Sequence, residues 1–295
     1  MANIIRDDID FSAYMQSAEG QHRIISAEAY VDEVIDYFHG EKRNAGALLP
    51  WAKTHNNLRF RPSEVTLWAG LNGHGKSLAL GQFCISMIEA QAQQVCIASM
   101  EMKPMVTLAR MCRQFCKDNR PDVDLIRLFH SATGSHLWLY DQQGTVHAEK
   151  MLAVMRYCAQ EKGIQHFVLD SLMKCGIAED DYTGQKLFVD AICTIARDTG
   201  MHIHLVAHSK KQRDEMNPPG KMDVKGSGAI TDQVDNVLTM WRNKPKETGL
   251  QEGNHDRANE PDALLICDKQ RNGEWEGKIA LWFDRNAMRY TEGQW

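Results

Sequence analysis

Positive charge is not in excess in this sequence: 34 Lys and Arg stand against 39 Asp and Glu, for a formal net charge of -5. The isoelectric point is about 6.2. A general basic coat for nucleic acid is thereby excluded. Any such contact must be local, from a few cations on one loop or channel wall. No apolar run approaches the roughly 18 residues of a membrane span, so no membrane partner is expected. The N-terminal stretch MANIIRDDIDFSAYMQ is acidic and lacks a signal-peptide core, which points to the cytoplasm. Internal repeats and low-complexity tracts are missing too. The 8 cysteines show no metal-site pattern. Cys96, Cys193 and Cys267 fall inside apolar stretches and read as reduced core residues. Cys112 and Cys116 are one helical turn apart with no second pair at zinc spacing, so helix packing is the better reading.

What is present is an ordinary globular composition, 43% hydrophobic and 25% charged, enough for one large α/β domain or two small ones. Residues 1–62 read as an N-terminal arm followed by a helix and a looser stretch. In AEAYVDEVIDYFH, residues 27–39, Ala27, Val31, Val34, Ile35 and Phe38 form one helical stripe, with Gly40 as a stop. From residue 63 to 295 a second region begins with strict alternation. The strands EVTLWAG, QVCIASM, HLWLYD, IQHFVLD and HIHLVAH are separated by helices over 76–92, 104–117, 148–162 and 185–199. Near-continuous apolar strands alternating with helices predict a mostly parallel sheet with helices on both faces. NVLTMWR, ALLICDKQ and KIALWFD follow with short connections and predict added strands at one side, at least two of them antiparallel. The segments 173–184 and 209–227 read as long loops, a class that often carries function.

GLNGHGKS, Gly70 to Ser77, fits G-x-x-x-x-G-K-S between an apolar strand and an amphipathic helix. Gly70, Asn72, Gly73, His74 and Gly75 would curl backbone N–H groups round a polyphosphate, aided by the helix N-terminus. Lys76 would reach the β- and γ-phosphates, and Ser77 would ligate Mg²⁺. A glycine-rich turn that binds nothing is the bland alternative, and the strand–loop–helix order argues against it. Asp170 ends the buried strand HFVLD, where a magnesium-associated carboxylate sits in phosphate-loop proteins. Glu101 in SMEMKP could polarise an attacking water, or simply stabilise a helix start; spacing alone leaves the two equal. His208 in LVAHS could sense the γ-phosphate, although a lone strand-end histidine is more often structural. Lys269 and Arg271 in ICDKQRNG share one face of a strand. Taken alone, they read as solvated cations on a hairpin.

Taken in order, the phosphate loop, SMEM, VLD, VAHS, VKGSGAITDQVDNVLTMWRN and KQRNG resemble the DnaB-type replicative helicases and the helicase half of phage primase-helicases, over roughly residues 27–290. That resemblance implies a RecA-like P-loop NTPase core, six subunits in a ring round single-stranded DNA, and ATP with Mg²⁺ between neighbours. It implies Glu101 as catalytic base, His208 as phosphate sensor, and Lys269 and Arg271 offered in trans to the adjacent nucleotide, with Arg271 as arginine finger. It places Arg242 near the nucleotide base. Lys221, Lys225, Gly226 and Gly228 would track the DNA backbone, with Lys174 and Lys186 as weaker candidates. It matches the 27–39 helix to a linker that docks on the next subunit. The short region before the core leaves no room for a primase domain or a helical collar, which suggests a phage or mobile-element protein working in a bacterial host. Primase, polymerase or loader would then be separate partners on forked DNA. The rival readings are a RecA-like recombinase or regulatory ATPase, and a non-motor ATP-switched clamp or assembly factor.

Overall fold

The computed structural model describes residues 3–15, 26–39, 46–209, 216–225 and 228–293. Among these the chain runs β1 (Asn3–Arg6), α1 (Val31–His39), β2 (Val65–Ala69), α2 (Lys76–Gln91), β3 (Val95–Ser99), α3 (Pro104–Cys116) and α4 (Val123–Thr133). It continues through β4 (Leu137–Asp141), α5 (Ala148–Lys162), β5 (His166–Asp170), α6 (Tyr182–Thr199), β6 (His202–Val206) and α7 (Gly228–Gln233). β7 (Asn236–Arg242), α8 (Lys244–Gln251), β8 (Ala263–Gln270), β9 (Gly277–Asp284) and β10 (Arg289–Thr291) complete it. The strands lie in the order β1-β4-β3-β5-β6-β2-β7-β8-β9-β10. Pairing is parallel from β1 to β7 and antiparallel from β7 through β8 and β9 to β10.

The alternation of side chains along each strand divides the interior into two cores. Leu67 and Ala69 join Met151, Val154, Phe188 and Ile192 of α5 and α6 on one face. Trp68 joins Leu80, Phe83, Met111 and Phe129 of α2, α3 and α4 on the other. Central strands such as β2, β3 and β5 are buried at every residue, because helices cover both faces. The expected α/β class, with a mostly parallel sheet and antiparallel strands added at one side, is the observed one.

Five elements were not foreseen, the short last strand β10 among them. Residues 3–6, inside the segment read as an arm, form the parallel edge strand β1 beside β4. Ile5 and Phe11 drive this by burying almost completely, and Asp7 ties the edge down through the Tyr140 hydroxyl and Lys150 at 2.8 Å. Helix α4 is started by Asp122, whose side chain accepts the Leu125 N–H at 2.8 Å. Helix α8 is started by Asn243 in the same way. Helix α7 lies just beyond the second long loop. Residues 27–30 form a 3-10 turn leading into α1, and Val31, Val34, Ile35 and Phe38 are each about half exposed. No described helix is long and apolar enough to cross a membrane.

Candidate functional site

Parallel strands deliver their C-terminal ends to one edge of the sheet, and the chemistry collects there. The phosphate loop connects β2 to α2. Gly70, Gly73 and Gly75 adopt φ of 145°, 76° and 86°, in the region that favours glycine. At Gly70 a side chain would strike the Met240 carbonyl, and at Gly75 the Tyr290 hydroxyl. His74 is fully buried, and its Nδ1 accepts the Arg242 N–H at 3.1 Å, pinning the loop to β7. Lys76 turns back on the loop, donating to the Gly70 and Leu71 carbonyls at 2.8 and 3.0 Å. Its Nζ lies 3.3 Å from His208 Nδ1. Burial lowers the Lys76 pKa to about 8, against the pull of Asp170 and Glu101.

Ser77, in the first turn of α2, donates to Asp170 Oδ2 at 2.6 Å. Burial raises the Asp170 pKa, and the hydrogen bond from Ser77 opposes the rise. Magnesium characteristically takes one or two protein oxygens and completes its shell with phosphates and water. A hydroxyl and a carboxylate side by side at the mouth of a phosphate loop fit that pattern. The described residues contain no group of three His, Cys, Asp or Glu that could hold a metal without such help.

Glu101, just past β3, accepts from Ser171 at 3.3 Å and faces His208 Nε2 at 3.6 Å. His208 is the junction of the site: burial, then the neighbouring Lys76, lower its pKa, and Glu101 resists. The backbone around it runs outward. Ser209 donates to the Gly70 carbonyl at 3.0 Å, and Lys225 donates to the His208 carbonyl at 2.7 Å. Thus Gly70, Lys76, Ser77, Glu101, Asp170 and His208 meet at one place, and one hydrogen-bonded step joins them to Lys225. Beside the loop a cavity of about 200 Å³ is lined by Gly73, Gly75, Arg242, Glu247, Phe283 and Tyr290. Arg242 is paired there with Glu247 at 2.5 Å. Sequence reasoning missed Phe283 and Tyr290, which only the antiparallel return of β9 and β10 brings back to the loop.

Lys269 and Arg271 are elsewhere. Gln270 pairs with Asn236, and Asn236 with Thr66 at the start of β2. The phosphate loop begins four residues further along, about 13 Å at strand rise. The two cations therefore occupy the opposite edge of the sheet. There Lys269 donates to the carbonyls of Thr231, Asp232 and Val234 at 2.9, 2.9 and 2.8 Å. Arg271 donates to those of Asp232 and Gln233 and pairs with Asp235 at 3.2 Å.

The remaining candidates lie on the loops. Lys225 pairs with Glu179 at 2.6 Å, and Lys221 reaches the Asp268 carbonyl at 3.5 Å. Gly228 opens α7. Gly226 falls outside the described residues. Lys174 ends a 3-10 turn after β5, and Lys186 is an exposed residue of α6.

The family model described as the DnaB-like helicase C terminal domain matches residues 57–292. The chain belongs to this family. It is similar to a DNA helicase/primase of Enterobacteria phage T3, 24% identical over 211 residues, covering 63% of this chain and 37% of that one. The matched part is thus well under half the length of that relative. Among solved structures it resembles the ATPase domain of G40P, with TM-score 0.75 and 15% identity over 90% of this chain and 98% of the other. A DnaB-like replicative helicase studied with its primase gives TM-score 0.71 and 14% identity, over 91% and 67% of the two chains. At these identities the likeness establishes the fold, a RecA-like core.

Proposed function

We propose that this chain is the motor of a ring-forming replicative DNA helicase, hydrolysing ATP or another nucleoside triphosphate between subunits to move along single-stranded DNA and part the duplex. The observation that carries the reading is the division of the site. Phosphate loop, metal-side carboxylate, candidate base and sensor share one sheet edge, while the finger cations stand on the other. A phosphoryl-transfer transition state needs cationic stabilisation worth roughly 10³ to 10⁵ in rate. One copy cannot supply it to itself from Arg271, but a head-to-tail neighbour can, and such contacts form a ring where the rotation between copies closes.

In the assembled state Lys76 leaves the loop carbonyls for the β- and γ-phosphates, and Ser77 and Asp170 hold the magnesium side. When bound there, Mg²⁺ would supply neutralising charge beside the phosphates. Glu101 orients and deprotonates the attacking water. His208 reports the γ-phosphate to Lys225 through its own carbonyl. Lys221, Lys225 and Gly228 follow the phosphate backbone without reading sequence, as a motor on any DNA requires. The base sits against Arg242 and Tyr290. The apolar stripe of α1 seats on the next copy. Primase, polymerase or loader would meet the ring from outside.

The test is complementation. Arg271→Ala and Lys76→Ala should each be inactive in DNA-stimulated hydrolysis and in unwinding of a forked duplex. Mixed, they should recover a fraction of both activities, because an intact loop then meets an intact finger across some boundaries. Hydrolysis at the wild-type rate by Arg271→Ala alone would refute the reading.

A further inference from the structure

The last turn of an α-helix leaves its final carbonyls without intrahelical partners and carries partial negative charge. At α7 those carbonyls belong to Thr231, Asp232, Gln233 and Val234, and every one is taken by Lys269 or Arg271. An ammonium has three N–H donors, and Lys269 spends all three here. Nothing remains on it for a phosphate in this arrangement. Arg271 is similarly committed, to two carbonyls and to Asp235, whose other oxygen holds the Val65 N–H at 2.9 Å. Asp235 is mostly buried while Arg271 is about half exposed, so the acid is the fixed partner and the guanidinium the movable one. At its other end α7 begins at Gly228, three residues beyond Lys225. Lys221 touches the carbonyl of Asp268, next to Lys269, from the same segment.

We infer that Lys269 and Arg271 are positioning residues for α7, shared between its C-terminal carbonyls and the neighbour's polyphosphate, so that engaging the neighbour uncaps the helix that carries the DNA-facing segment. This rests on the trans-finger reading above. The competition is between acceptors for one set of donors. A polyphosphate offers charged oxygens, which form the stronger hydrogen bonds, so it wins when assembly brings it within reach. When it leaves, the helix end recaptures the cations and α7 is fixed again. Linkage then makes the effect reciprocal: nucleotide in one subunit changes the DNA affinity of the next, and DNA changes that nucleotide's affinity by the same factor.

Hydrogen exchange on the full chain tests this, with single-stranded oligonucleotide and with or without a β,γ-imido triphosphate. In the wild type, amides over 228–235 should exchange about tenfold faster when the imido nucleotide is bound, the loss expected when two cations leave a helix end. In Lys269→Met they should exchange fast without nucleotide, and nucleotide should add little. Lys269→Arg should restore both the protection and its release. The ratio of oligonucleotide affinities with and without the imido nucleotide should fall towards one in Lys269→Met, which a purely structural role would not cause. Protection over 228–235 that ignores nucleotide in the wild type overturns the proposal, whatever the variants do. If that happens while Arg271→Ala remains inactive, the finger stands and the shared cap fails. If Arg271→Ala turns over normally and 228–235 is still exposed by Lys269→Met, the finger fails and the two cations are fixed caps only.

Discussion

Lys76 offers the sharpest test of how the phosphate loop is built, because the structure predicts that removing it strengthens the fold. Its ammonium is buried among loop carbonyls, and burial brings its pKa from an ordinary 10.5 to about 8. Below pH 8 both folded and unfolded chains hold the proton, so the whole penalty of burying the charge is present at pH 7. A fall of that size corresponds to about 3 kcal/mol, at about 1.4 kcal/mol per tenfold change in the proton equilibrium. Lys76→Met keeps the apolar stem, removes the charge, and takes one donor each from the Gly70 and Leu71 carbonyls, which keep the Ser209 and His74 N–H groups, so only about 1–2 kcal/mol of the gain is returned. The expected net is a stabilisation of about 1–2 kcal/mol, a few degrees in Tm for a domain of this size. The sign with pH is also fixed. The unfolded state binds more protons between pH 8 and 10.5, so wild-type stability rises with pH there and the advantage of the variant shrinks. Differential scanning fluorimetry at pH 7 and 9.5, with and without Mg²⁺ and nucleotide, measures all of this. Nucleotide should raise the wild-type Tm by mass action and leave the variant unmoved. A Lys76→Met protein that melts below wild type at pH 7 without nucleotide would refute the argument.

Three further outcomes follow from other parts of the molecule. His166, His202 and His204 stack in the core beside Phe60 and Phe83, and burial lowers all three pKa values, His202 to about 4. Their contribution is whole above pH 6.5 and lost as pH falls, so urea melts at pH 5 should show about 2 kcal/mol lost through His202 alone, and a His202→Asn variant with an unchanged pH slope would contradict this. Glu179 occupies Lys225 at 2.6 Å on the surface. Glu179→Gln should therefore tighten single-stranded DNA up to about fivefold at low salt and hardly at all at high salt, as fluorescence anisotropy would show. Asp170→Asn should keep nucleotide binding without metal and lose most of the Mg²⁺ dependence of hydrolysis, read in a magnesium titration.

Much of the architecture was legible because its physics is local. A strand buried on both faces must be apolar throughout, and a covering helix must carry a stripe, so the alternation from β2 to β6 could be read within three residues of its bounds, the start of α6 at Tyr182 being the furthest off. Lys76, Ser77 and Asp170 were legible for a related reason: a parallel strand sends its next residue to the ligand edge wherever it lies in the chain. The misses are elements whose signal is weak or distant. β1 has four residues, too few for a period, and is a strand only because β4 has an open edge. α4 buries little besides Phe129 and Thr133, so its stripe is faint, although Asp122 before it was a readable cap. The carbonyl partners of Lys269 lie 35 to 38 residues away, and no pattern near residue 269 announces them.

The separation of Arg271 from its own phosphate loop is a consequence of chain direction. β7 runs parallel to β2, so it ends, like β2, at the edge that carries the phosphate loop. β8 turns back beside it, and its last residues must arrive at the other edge. A cation at the end of β8 is thus carried away from its own chain's phosphate loop by the same reversal that makes the pairing antiparallel, and the distance grows with each residue of β8. Moving the pair within the strand would not cure this without breaking the register that buries Leu265 and Cys267. With Arg271 as the proposed finger, a chain of this topology has an incomplete site by construction. Hydrolysis should therefore rise more steeply than linearly with protein concentration until assembly is saturated. A turnover per subunit that stays constant down to dilutions where only monomers exist would show that some other cation, on the loop's own edge, completes the site.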